Sequence, residues 1–126
     1  MKIQKNKINF KDKRGFILDV IYKKKFNHAT LIYTKRGAVR GNHYHKKTTQ
    51  ISFLINGSCH YYYRNFLLRK LKKIKLNKFD YVITKPQEVH SFKFLKNSLM
   101  MVFSKGLRGG KDYENDTFRI KKTIKV

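Results

Sequence analysis

Acidic residues are scarce in this chain, seven against 31 lysines and arginines, which leaves a formal net charge of +24. Such a balance attracts acidic partners: nucleic acid, an anionic membrane or a phosphorylated small molecule. The lysines, however, lie in short groups (23–25, 46–47, 70–75 and 121–125) with no single basic tail. A nucleic-acid footprint is a clustered one, so that partner is not expected. Lysine supplies 24 of the 31 positive residues in a chain also rich in Ile, Asn, Phe and Tyr, the composition that AT-rich coding produces. One cysteine, Cys59, excludes an internal disulfide and a thiolate metal site, and reads as a small buried hydrophobe. One proline, Pro86, and no linker leave no domain boundary, so a single domain over residues 1–126 is expected. No apolar run approaches the roughly 20 residues of a membrane span. The opening MKIQKNKINF lacks the apolar stretch of a secretory signal, so the expected location is cytoplasmic.

Aromatic residues are plentiful, 10 Phe and 8 Tyr, and with hydrophobic residues at 40% they argue for a folded chain. Phe16 to Val20 and Thr30 to Tyr33 read as strands. Gln50 to Ile55 is apolar on both faces and ends at Asn56-Gly57, a strong hairpin signal. The Tyr-rich run Cys59 to Arg64 follows, then short strands at Tyr81 to Thr84, Val89 to Leu95 and Leu99 to Ser104. Strands at this spacing point to an all-β sandwich or barrel. Phe66 to Leu76 places Leu67, Leu71 and Ile74 at helical spacing, but its position between strands favours an irregular strand or hairpin with a lysine face.

Between Gly37 and Gly57 stand His43, His45 and Gln50, and His90 follows at the end of the stretch from Phe79. Residues two apart on a strand share a face, so His43 and His45 reach one ion or one substrate together. These spacings resemble the two cupin motifs, with Gln50 in place of the usual Glu and with the second motif's glycines replaced by Phe79 and Gln87. The resemblance implies a single-domain cupin, a double-stranded β-helix or jelly-roll barrel. His43, His45, Gln50 and His90 are the candidate ligands of one divalent transition metal (zinc, iron, nickel or manganese), and no organic cofactor is expected. The amide of Gln50 is a weaker ligand than a carboxylate, so a metal-free role stays open.

Phe10 to Asp19 and Gly37 to Tyr44 resemble the dTDP-4-dehydrorhamnose 3,5-epimerases and dTDP-sugar 3,4-ketoisomerases. Arg40 to Lys46 is also similar to the cupin domain that ends the bifunctional capsular sugar-nucleotide enzymes. The resemblance spans residues 10 to about 105. It implies an isomerase or epimerase of surface-polysaccharide precursor synthesis, acting on a nucleotide-diphosphate sugar and forming a homodimer. His43 would be the general base with His45 beside it, and Arg14, Arg40, Arg64, Tyr61 and Tyr63 would contact the substrate. The late strand Met100 to Ser104 lacks the epimerases' tyrosine acid, which leaves Tyr61, Tyr63 or Tyr113 for that role. A non-catalytic metal- or sugar-binding module is the leading alternative; a basic nucleic-acid binder and an iron dioxygenase rank below it. The glycine-rich tail from Gly106 to Thr117 either closes over the barrel mouth or caps the surface.

Overall fold

A computed structural model describes residues 2–5, 8–65, 70–106 and 116–120. Among them every regular element is a strand: β1 (Lys2–Lys5), β2 (Phe10–Asp12), β3 (Gly15–Ile17), β4 (His28–Thr34), β5 (Val39–Tyr44), β6 (Thr49–Asn56), β7 (Cys59–Asn65), β8 (Lys72–Leu76), β9 (Asp80–Thr84), β10 (Glu88–Phe94), β11 (Ser98–Lys105) and β12 (Phe118–Arg119). Two antiparallel five-stranded sheets run β1-β9-β6-β11-β4 and β12-β5-β10-β7-β8, and β2 pairs with β3 alone.

Alternation builds the core. On β11, Ser98, Met100, Val102 and Ser104 are buried while Leu99, Met101 and Phe103 are half-buried. Leu54, Val82, Met100 and Val102 of the first sheet thereby meet Cys59, Tyr61, Leu76, Phe92 and Phe94 of the second in one cluster. Each large apolar side chain so buried stabilises the fold by roughly 1.5–3 kcal/mol. A smaller group, Tyr62 and Val89 with Tyr44 and Ile120, belongs to strands of the second sheet and the residue after β12.

Two sequence expectations change, and a third holds over the described residues. Of Phe16 to Val20, only the first two residues are in β3, which pairs with β2 and with neither large sheet. Asn56-Gly57 closes no hairpin: β6 lies in the first sheet and β7 in the second, so the turn carries the chain across the sandwich. The dipeptide signals a left-handed φ, here +99° at Gly57, and says nothing of which sheet the next strand joins. In Phe66 to Leu76, Lys72–Leu76 is the edge strand β8, with Leu76 buried and Lys73 and Lys75 exposed, as edges require. Residues 66–69 lie outside the described residues, as does Tyr113.

The two lost motif glycines left their conformation behind. Phe79 and Gln87 both hold left-handed φ, +73° and +71°. That costs about 1–2 kcal/mol at a side-chain-bearing residue. Hydrogen bonds offset it, from Phe79 N–H to the Leu54 carbonyl (2.7 Å) and from Gln87 N–H to the His45 carbonyl (2.6 Å).

Candidate functional site

β5 and β10 pair so that His90 stands opposite His43 and Ser91 opposite Gly41, leaving Asn42 as one extra residue on β5. Its φ of +57° marks the bulge. Strict alternation would send Arg40 and His43 to opposite faces. The extra residue resets the phase, Arg40 comes to lie opposite Phe92, and Arg40 and His43 line one cavity. Gly41 is required there: at φ +105° its Cβ would lie 2.7 Å from the His90 carbonyl oxygen and 3.0 Å from Ser91 Cα.

The cavity encloses about 280 Å³. Its polar wall is His43, His90, Gln50 and Ser52, its apolar wall includes Ile32, Phe92, Met100 and Val102, and the exposed Arg40 and Arg119 complete it. His45 does not line the cavity but packs behind it, its ring 4.8 Å from His43 and 5.4 Å from His90 between centroids. His45 Nδ1 donates to the Asp116 carbonyl (2.8 Å) and His90 Nδ1 to the Glu88 carbonyl (3.2 Å). A carbonyl only accepts, so both neutral rings carry their proton on Nδ1 and a lone pair on Nε2.

One donor nitrogen from each histidine lies within 4.8 Å of the others. A tetrahedral metal at about 2.0–2.1 Å holds its donors roughly 3.3 Å apart, so the rings must draw together to take one. Three neutral imidazoles with the nearby Gln50 amide fit a transition metal chemically, while offering it no negative charge.

The other expected site residues sit elsewhere. Tyr61 is fully buried, its hydroxyl bonded to Thr84 Oγ1 at 2.6 Å, and it belongs to the core and not to the cavity wall. Burial pushes its phenol well above the usual range, and the Glu88 charge adds to this against the Thr84 hydrogen bond. Tyr63 stacks on Tyr61 at 5.7 Å and is likewise off the cavity wall. Arg64 lies one residue out of phase with them, opposite Val89, so alternation turns it to the other face of β7. Arg14 is exposed in the β2–β3 turn, where Nε and Nη2 donate to Asp12 Oδ2 at 3.0 and 2.6 Å and hold that carboxyl below its usual range. Its groove, lined by Phe10 and Phe16, is separate from the histidine cavity.

Two residues at the site went unread in the sequence. Arg119 pairs opposite His43, from a two-residue strand too short to show a pattern. Asp116 carries a signal only in hindsight, as one of few acids in a basic chain.

The family described as the polysaccharide biosynthesis C-terminal domain matches residues 10–109. No curated protein sequence matches the chain. Among solved structures, the chain is similar to a 3,4-ketoisomerase from Helicobacter canadensis (TM-score 0.80, 23% identity, 94% of this chain and 90% of that one). It is similar to the sugar 3,4-ketoisomerase QdtA from Thermoanaerobacterium thermosaccharolyticum, solved with TDP (TM-score 0.78, 20% identity, 95% and 88%). A dTDP-4-dehydrorhamnose 3,5-epimerase from Sulfolobus tokodaii also matches (TM-score 0.72, 22% identity, 86% and 70%). The fold they share is the cupin jelly roll.

Proposed function

The chain belongs to the polysaccharide biosynthesis C-terminal domain family, and from that premise we propose that it is a nucleotide-sugar isomerase or epimerase supplying surface-polysaccharide precursors. The observation that carries this reading is the cavity in which His43 faces His90 beside two exposed arginines. At about 280 Å³ it sits near the lower end of ligand pockets, room for a keto-hexose and not for its nucleotide. The diphosphate then lies outside, where Arg40 and Arg119 offer planar, permanently charged donors.

His43 removes the proton from the carbon beside the ketone, the C–H electron pair becomes a C=C bond, and the carbonyl oxygen becomes an enolate. Reprotonation at that carbon from the other face gives an epimer, and at the former carbonyl carbon, with a proton shift between the oxygens, the isomeric ketone. Histidine titrates near neutrality and can both take and return such a proton. The enolate needs hydrogen-bond donors, and the Gln50 amide on the same wall carries two. A glutamate at position 50 would repel the enolate; the amide does not.

A second reading draws on the histidine cluster itself. His43, His45, His90 and Gln50 would hold one divalent transition metal. Such an ion supplies Lewis-acid stabilisation of a developing negative oxygen. The reading as a binding module without catalysis shares this site.

We also propose a homodimer. Leu31 and Tyr33 on the edge strand β4 are 57% and 55% exposed, and Leu99, Met101 and Phe103 continue their face on β11 without one charged residue. A solvent-facing sheet in so basic a chain would carry lysine at such positions. Cytoplasmic location goes with the substrate class.

The test is proton exchange at the sugar carbon, followed by NMR in heavy water over a panel of dTDP- and UDP-linked keto-sugars. Exchange with at least one is expected; none with any, alongside measurable binding, means a binding module.

A further inference from the structure

Asp116 is buried, 3% exposed, beside the turn that follows β5. Three successive backbone N–H groups converge on its carboxylate: Lys46 donates to Oδ1 at 3.1 Å, Lys47 and Thr48 to Oδ2 at 2.9 and 2.8 Å. The Thr48 hydroxyl donates to Oδ2 as well, at 2.8 Å. A run of N–H groups folded round an anion in this way is a nest. Gly106 presses on its far side, so closely that a Cβ there would meet Thr48 Cα at 2.8 Å. The main chain of Asp116 reaches the other way, its carbonyl accepting from His45 Nδ1 at 2.8 Å. One residue thus grips the turn with its side chain and the His45 ring with its backbone. Three residues on, Arg119 stands opposite His43 and lines the cavity.

Resting on the reading of the cavity as a proton-transfer site, we propose that Asp116 is a positioning residue that holds His45 in the tautomer with its proton on Nδ1, leaving a lone pair on Nε2 in the ring that packs against His43. An imidazole free to flip or change tautomer presents a proton where a lone pair is needed for part of the time. The arrangement divides the labour: the charge of Asp116 is taken up by the nest, and only a neutral carbonyl touches the ring. His45 is oriented without a carboxylate partner.

Protein labelled with 15N-histidine reads the tautomer without any substrate. In the parent, His45 should show its bonded proton on Nδ1. In Asp116→Ala the nest loses its anion, the His45 signals should move toward averaging between tautomers, and kcat should fall about 10–100-fold with KM much less changed. Asp116→Asn keeps one acceptor oxygen in the nest and should fall between parent and Ala in both measurements; it serves as the sole variant if Asp116→Ala does not fold. Parental His45 signals together with parental kcat in a folded variant overturn the proposal. If the parent itself exchanges no sugar proton, the proposed function falls, while the spectrum still decides whether Asp116 sets the tautomer.

Discussion

His43 lies directly across from His90 in the β5–β10 pairing, and their rings meet edge to face with centroids 4.7 Å apart. Either ring can take the substrate proton; the proposed function gives that role to His43. His43→Asn keeps a polar side chain of similar size but no base, and should slow sugar-proton exchange by roughly a hundredfold to ten-thousandfold without loss of fold. Arg40→Ala should instead raise KM more than it lowers kcat, since the contact proposed for it is with phosphate. Steady-state kinetics on both variants makes the comparison, and near-parental exchange by His43→Asn would move the base to His90 or His45.

The bulge and the second-motif turns predict opposite signs for two glycine exchanges. Gly41→Ala drives a methyl into the His90 carbonyl at a left-handed φ and should destabilise by about 1–3 kcal/mol. Gln87→Gly relieves a left-handed side chain at an exposed position and should stabilise by about 0.5–1 kcal/mol after the entropy cost of glycine. Urea midpoints at constant m-value measure both.

Cys59 is fully buried in the core, and burial, with a smaller contribution from the Asp80 charge, pushes its thiol up to about 12. Only the thiolate reacts. A disulfide reagent at pH 8 should leave the native protein unlabelled, and labelling should appear with the unfolding transition. Rapid labelling without denaturant would contradict the buried placement.

Burial alone would raise the Asp116 carboxyl, but hydrogen bonds from the Thr48 hydroxyl and from the N–H groups of Lys47, Lys46 and Thr48 outweigh it and hold the carboxyl below its usual range. A carboxylate depressed by folding contributes stability that is present above its unfolded pKa, about 4, and lost as pH falls through the folded value. Stability should therefore drop below about pH 4, less steeply in Asp116→Asn. Asp12 shares the direction of shift, but it lies at the surface with the exposed Arg14 as its partner, so screening leaves it little to add. Urea titrations at several acid pH values check this; equal acid slopes in parent and variant would refute it.

Leu31→Lys and Met101→Lys place charge on facing positions of β4 and β11. Light scattering should show a dimer for the parent at micromolar concentration and a monomer for the double variant. A monomeric parent ends the dimer proposal.

The histidine trio was legible because residues two apart in extended chain stay close and the spacing to His90 survived the loss of its flanking glycines; that His45 falls one residue past β5 and off the cavity wall was not. Arg40 was assigned to the site by resemblance, yet simple alternation would have excluded it; the bulge at Asn42 depends on a strand 50 residues away. The tyrosines of β7 show the reverse limit. Their run announces a strand, but whether an inward tyrosine meets cavity or core depends on what packs opposite, and Tyr61 meets Thr84 and Phe92. Asp116 was illegible for the same reason, since its partners at Lys46 to Thr48 are separated from it by 68 to 70 residues.

The strand order also governs when this chain can fold. β4 and β6 are neighbours in neither sheet; β11 stands between them, and β1 waits for β9, with Lys2 opposite Ile83. Pairings this remote in sequence make for folding in milliseconds to seconds rather than microseconds. On the ribosome the first sheet cannot close until residue 105 has emerged, so the apolar β4, with Leu31 and Tyr33, is synthesised long before its partner strand. That interval is when this protein is most open to aggregation.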